Sequence, residues 1–288
     1  HARLIDPWTV QVTAPDGAID LGAFRPAGTA ALSGIREVKS AARTVEVLEF
    51  LAARRNRPVT IRELCSELSA PRSSIYALLR TLTDLGWVRT DPTRSMYSIG
   101  IRALLAGTTY LDTDPLLRIV QPHLEELGKR LGETVHYGRL DGSDIVYLAT
   151  QESPAYERKS NRVGRRLPAY ATSLGKAVLA NLATDLEAHL PEKLLPLTQH
   201  TITSRRRLKA DLEASRKRGY ALDNEENTLG LRCFGVGLDL DDSGGDALSC
   251  SVPLDRLSPP REQEIVNELL ATATLMRKIV RSLDGLLG

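Results

Sequence analysis

The punctuation of the stretch from Ser40 to Gly100 limits the possible folds more than any other feature of this 288-residue chain. Ser40 is read as the N-cap of a first helix, in which Val45, Leu48 and Ala52 recur at helical spacing until Arg57-Pro58 closes it. Thr60-Ile61-Arg62-Glu63 is a capping-box pattern, because Thr60 and Glu63 can each satisfy a free backbone donor of the other. The short helix that it opens is expected to bury Ile61, Leu64 and Leu68. Ser69-Ala70-Pro71 makes a tight turn, with Pro71 suited to the first helical position. A third helix follows, with Ile75, Leu78, Leu79, Leu82 and Leu85 on one stripe and Gly86 as its stop. Two strand candidates, Trp87–Arg89 and Met96–Ile99, then flank the turn Asp91-Pro92-Thr93-Arg94.

Helix, short helix, turn, helix and hairpin within about 60 residues predict a winged helix-turn-helix, assigned to residues 36–100. Opposite the apolar stripe of the third helix stand Arg72, Ser73, Tyr76, Ala77 and Arg80. That set donates to phosphates and base edges and includes no carboxylate to repel them. The candidate DNA contacts are therefore Arg72, Ser73, Ser74, Tyr76 and Arg80, with Arg62 on the short helix and Arg94 at the wing tip. For one helix alone, a merely solvated face is the better reading. Charge tips the balance. Residues 36–111 hold 12 Lys and Arg against 7 Asp and Glu, a surplus of five, in a chain whose net charge is only +2. A small basic module is joined to a slightly acidic remainder.

Other classes are disfavoured. Cys65, Cys233 and Cys250 show no paired spacing, and the five histidines show no metal-ligand spacing, so neither a disulfide framework nor a metal site is expected. There is no GxxxxGK[ST] or GxGxxG sequence to cradle a nucleotide. No cofactor and no catalytic residue are assigned. No apolar run reaches about 18–20 residues and no leader pattern opens the chain, so a cytoplasmic location without membrane contact is the expectation. Residues 1–35 form an arm, with a conceivable hairpin around Pro15-Asp16-Gly17, to which no function is assigned.

Beyond the head, Ile101–Tyr110 continues as a helix, taken as a linker over residues 101–113. Residues 114–288 mix helices and strands without strict alternation. Leu117, Val120, Leu124, Leu127 and Leu131 mark a helix that Gly132 ends, and Asp141-Gly142 joins two strands, Thr134–Leu140 and Ile145–Gln151. Helices are expected over Ser173–Ala183, over Leu208–Arg218 before Gly219, and from Pro259 to about Leu283. Strands are expected over Leu231–Leu240 and Ala247–Val252. The fold class is α+β around an antiparallel sheet.

Several separated blocks now carry a resemblance. The winged module, Leu167–Ala177 with its Ser173-Leu174-Gly175-Lys176, Gly219–Glu226, and Gly230-Leu231-Arg232-Cys233 resemble the IclR family of bacterial transcription regulators. The resemblance spans about residues 36–288. It implies a GAF-like effector-binding domain behind the DNA-binding head, assembled as a homodimer or a pair of dimers. It also implies effector contacts at Ser173, Leu174, Asp223, Cys233, Ser249 and Ser251, with Tyr156 and Lys159 in a segment roofing the pocket. Ser249 and Ser251 share a strand face by the period of two. Ser173-Leu174 replaces the pair of small residues frequent before the glycine in the family, which would narrow the pocket.

The expected activity is a ligand-responsive transcriptional regulator, a repressor of a catabolic or metabolic operon, controlled by a small organic acid. Its DNA partner is a near-palindromic operator. Cys233 lacks a basic neighbour and reads as a buried thiol rather than a nucleophile. Glu225 and Glu226 read as a solvated acidic turn. The basic run Arg158, Lys159, Arg162, Arg165 and Arg166 is balanced between a flexible loop and an anion site. The alternative is a small-molecule enzyme or sensor whose N-terminal module binds a partner other than DNA.

Overall fold

The computed structural model describes residues 38–54, 57–155, 162–182, 185–240 and 245–287. The arm 1–35, Tyr156 and Lys159 lie outside the described residues. The described residues fall into two compact units that divide between Asp114 and Pro115.

The first unit contains helices α1 (Lys39–Ala53), α2 (Ile61–Glu67) and α3 (Arg72–Asp84), strands β1 (Val88–Thr90) and β2 (Tyr97–Ile99), and helix α4 (Ile101–Thr113). Strands β1 and β2 pair antiparallel, as the wing requires. Its core is Val47, Phe50, Leu51, Val59, Leu64, Ile75, Leu79, Leu82, Val88 and Tyr97. The capping box is formed: Glu63 N–H donates to Thr60 Oγ1 at 3.2 Å, and Thr60 N–H to Glu63 Oε2 at 2.6 Å. Pro71 stands one position earlier than expected, as N-cap of α3, and Gly86 leaves the helix at φ +77°.

Helix α1 departs from the sequence reading. Its N-cap is Val38, Ser40 lies inside the helix, and Val45 is 54% exposed. The buried face turns instead on Val47, Phe50 and Leu51, because the two largest apolar side chains there decide which stripe faces the core. Leu85 is likewise exposed, lying beyond the last turn of α3.

The second unit holds helices α5 (Pro115–Leu131), α6 (Ser173–Asn181), α7 (Arg205–Arg218) and α8 (Pro259–Leu287). Its strands are β3 (Thr134–Asp141), β4 (Asp144–Gln151), β5 (Arg166–Pro168), β6 (Ala221–Asn224), β7 (Leu231–Gly237) and β8 (Asp246–Pro253). They form one antiparallel sheet in the order β5-β4-β3-β8-β7-β6. The α+β class is thus observed. The short β5 and β6 escaped the sequence reading, having too few residues to show a period. Helices α5 and α8 pack together and cover one face of the sheet. The expected stripe of α5 is buried in full.

Helix α6 covers the other face. Its residues Ser173–Ala180 are all buried, which suits a helix apolar nearly all round. Close approach to the sheet is possible only over small residues. A Cβ added to Gly235 would stand 2.2 Å from the Ser173 carbonyl oxygen. Leu179 and Ala180 meet Tyr170, Leu208 and Leu212, so α7 closes over the far side of α6.

Candidate functional site

In the first unit, every candidate DNA contact is exposed: Arg62, Arg72, Ser73, Ser74, Tyr76, Arg80 and Arg94. Arg72, Tyr76 and Arg80 follow one another at i, i+4 along α3, and Tyr76 is 55% exposed beside them. The face is free of carboxylates only over its first turns, since exposed Asp84 follows Arg80 by one turn. The N-terminal turns of such a helix are the ones that reach base edges.

The wing is built around Asp91. Its carboxylate accepts from the backbone N–H groups of Ser95 and Met96, both at 2.8 Å, and from the Thr93 hydroxyl. These bonds hold the carboxyl far below its ordinary range. They also fix the turn in which Arg94 takes φ +56°, presenting an exposed guanidinium at the tip.

In the second unit the sheet lays polar side chains in register. Asp223, Cys233, Ser251 and Thr134 stand side by side across β6, β7, β8 and β3. The next row runs Gly235, Ser249, His136 and Thr150 across β7, β8, β3 and β4. Above these rows sits the N-terminus of α6, where Thr172 Oγ1 accepts from Gly175 N–H at 3.1 Å. Between sheet and helix lies a cavity whose described lining is Tyr147, Arg162, Thr172, Ser173, Asp223, Asn227, Thr228, Leu231, Cys233, Ser249 and Ser251. Its volume of about 10 Å³ is the space of a single water.

The structure therefore brings together Ser173, Asp223, Cys233, Ser249 and Ser251. It does not place Leu174 with them. Leu174 is 1% exposed and packs with Ile145, Tyr147, Ala177, Val178 and Ala247. One residue into the helix, its side chain turns down to the sheet. Arg162, in contrast, belongs to the lining and is buried. The basic run around it was the only sequence signal for it.

Two opposite charges meet at the cavity. Arg162 in its lining acts on Tyr147, His136 and Cys233, and the positive end of α6 lies over Gly235 on β7. Asp223 stands on β6 at the edge of the sheet. Burial, and then the charge of Glu226, raise its carboxyl to about 7, although Oδ1 accepts from Glu226 N–H at 2.7 Å and Asn227 N–H at 3.3 Å. Burial and the Asp223 charge push the Cys233 thiol far up, so it stays protonated and is no nucleophile.

Beneath this edge lies fully buried Lys176. Its ammonium donates to Asp211 and to the Leu222 carbonyl, both at 2.9 Å, and ion-pairs with Glu226. Glu226 is thus buried and paired, not part of a solvated turn. Three acceptors satisfy the buried cation, the condition for such a charge to persist away from water. Among the described residues, no group of His, Cys, Asp and Glu could hold a metal ion, and no helix is long and apolar enough to cross a membrane.

Residues 40–92 match the model of the IclR helix-turn-helix domain, and residues 108–277 match that of the bacterial transcriptional regulator IclR C-terminal domain. The transcriptional repressor IclR of Escherichia coli (strain K12) is 35% identical over 233 residues, covering 79% of this chain and 85% of its own length. The acetate operon repressor of Salmonella typhimurium is 34% identical over 247 residues, covering 84% and 89%. The solved structure of Thermotoga maritima IclR has a TM-score of 0.60 at 29% identity, over 85% of this chain and 99% of that one.

Proposed function

The chain belongs to the IclR family of bacterial transcriptional regulators, and from that premise we propose a repressor of a metabolic operon, released or engaged by a small carboxylic acid held in the cavity. The observation that carries the DNA-binding reading is the exposed α3 face of Arg72, Ser73, Tyr76 and Arg80, seconded by Arg94 on a wing that Asp91 makes rigid. Arg62 and Ser74 add phosphate contacts. The relatives' printed names, transcriptional repressor and acetate operon repressor, support repression of a metabolic operon.

The lining suits an acid, and because the cavity has room for one water the acid enters only as the lining moves apart. Arg162 and the α6 N-terminus favour an anion, and the hydroxyls of Thr172, Ser173, Ser249 and Ser251 can donate to its oxygens. Effector binding shifts an equilibrium between states of high and low operator affinity. The working protein is a homodimer or a pair of dimers in the cytoplasm, reading a near-palindromic site. Residues 36–100 are the head, 101–113 the linker helix and 114–288 the sensing and oligomerisation domain. Family members are regulators rather than enzymes, and the suppressed Cys233 thiolate agrees with that.

The test is binding to duplex DNA from upstream of its own gene over a salt series, with and without short carboxylic acids. The logarithm of affinity is expected to fall linearly with that of salt, and Arg80→Ala to weaken binding by about tenfold or more. Affinity indifferent to both salt and Arg80 overturns the assignment of the head.

A further inference from the structure

Helix α8 changes character along its length. In its first half Glu262, Glu264 and Glu268 ion-pair with Arg232, Arg261 and Arg130. From Leu269 to Leu283 it holds Arg277, Lys278 and Arg281 and no carboxylate. The next carboxylate, Asp284, has a side chain outside the described residues. Together with Thr274 and Ser282, the three cations line an open groove of about 440 Å³. Their spacing of i, i+3, i+4, i+7 and i+8 gathers all of them on one face of the helix. The groove shares no residue with the described lining of the cavity beneath α6.

Arg277 is half-buried and held in place. Its Nε donates to the Leu238 carbonyl at 2.9 Å and one terminal nitrogen to the Gly237 carbonyl at 2.8 Å, which leaves the other terminal nitrogen for a ligand. Lys278 and Arg281 are exposed and form no ion pair among the described residues. The hydroxyls of Thr274 and Ser282 donate to the Leu270 and Lys278 carbonyls of their own helix. Recognition in the groove therefore rests on the cations.

Three positive charges on one concave face suit a multiply charged anion. A carboxylate brings one charge and two acceptor oxygens. A phosphate brings nearly two charges and three oxygens, and the planar fork of an arginine meets it two bonds at a time. The volume falls within the range of small-ligand pockets. From Thr274 to Ser282 the face spans about 12 Å of helix, a small footprint beside that of a duplex DNA site.

We propose that this groove on α8 binds a phosphorylated small molecule, at a site separate from the cavity.

The test is calorimetric titration of the full chain with inorganic pyrophosphate and with glycerol phosphate. Binding is expected, and it is expected to weaken about fivefold or more in Lys278→Gln and in Arg281→Gln, and further in the double variant. Both side chains are exposed, so the fold is expected to survive these changes. Arg281→Lys is expected to keep part of the affinity, since the charge stays while the fork is lost. Arg162→Gln and Arg80→Ala, which remove a cation from the cavity and from the head, are expected to leave phosphate binding as it was. Binding that is lost in either of those two, or that is equal in the double variant and the wild type, overturns the proposal. Failure of both phosphates to bind overturns it too. Operator binding by the double variant is expected to match the wild type. If instead its salt slope falls while neither phosphate binds, the groove serves the DNA backbone and the small-ligand assignment is wrong.

Discussion

The ammonium of Lys176 and the carboxylate of Glu226 are ion-paired out of water, and the backbone N–H of that same Glu226 donates to Asp223 in the cavity wall. A pair that anchors α6 thus also shapes the site next to it.

Removing one partner leaves an uncompensated buried charge. Lys176→Met is expected to cost roughly 3–5 kcal/mol, measured by urea unfolding. Removing both charges, in Lys176→Met with Glu226→Gln, is expected to recover part of that loss, as a double-mutant cycle will read.

Asp223 sets a pH dependence. Its folded-state value of about 7 lies above the ordinary 3.8, so the native state holds a proton where the unfolded chain has released it. Stability contributed at this site therefore falls as pH rises from 3.8 to about 7, and then levels off. The isosteric Asp223→Asn is expected to lack that decline, the difference growing to roughly 4 kcal/mol as an upper bound. Comparing the two proteins' unfolding across pH 4–8 checks both sign and window. Carboxylate affinity is expected to weaken in a different window, above about pH 7, where native Asp223 ionises beside the bound anion, and to stay level there in the variant.

The wing offers a reading that stability cannot give. Arg94→Ala is expected to lower the salt slope of DNA binding by about one, the signature of a lost phosphate contact. Asp91→Ala leaves Arg94 in place but frees the turn whose Ser95 and Met96 N–H groups it held. It is expected to weaken operator binding by severalfold, seen by fluorescence anisotropy on labelled duplex.

Gly235→Ala is expected to distort the site from behind. Its new Cβ would lie 2.2 Å from the Ser173 carbonyl oxygen, so the start of α6 must lift from the sheet. A cost of about 1–3 kcal/mol in unfolding is expected. Effector-induced thermal stabilisation is expected to shrink with it, since Thr172 and Ser173 move together.

Where elements carry their own punctuation, sequence and structure agree closely. The Thr60–Glu63 capping box, the Gly86 stop and the Asp141-Gly142 hairpin are local physics, written in neighbouring residues. Helix α1 is harder, because Val45 and Val47 compete for the core and only the partners across the fold decide between them. The site follows the same division. Asp223, Cys233, Ser249 and Ser251 were found through motifs and strand alternation. Leu174 packs on the sheet beside them, and position in a motif does not say which way a side chain turns. His136 gave no signal at all, since its place in the row with Ser249 and Thr150 exists only once the strands are in register.

The place of β8 in the middle of the sheet has a consequence for how the protein comes into being. Its contacts with β3 join residues more than 100 apart, as Arg139 and Asp246 illustrate with a separation of 107. The head closes over short sequence distances, and such contacts form fastest. On the ribosome a complete DNA-binding module therefore emerges and folds while the floor of the cavity in the second unit is still unsynthesised. For that interval each new molecule carries a reader without its regulator.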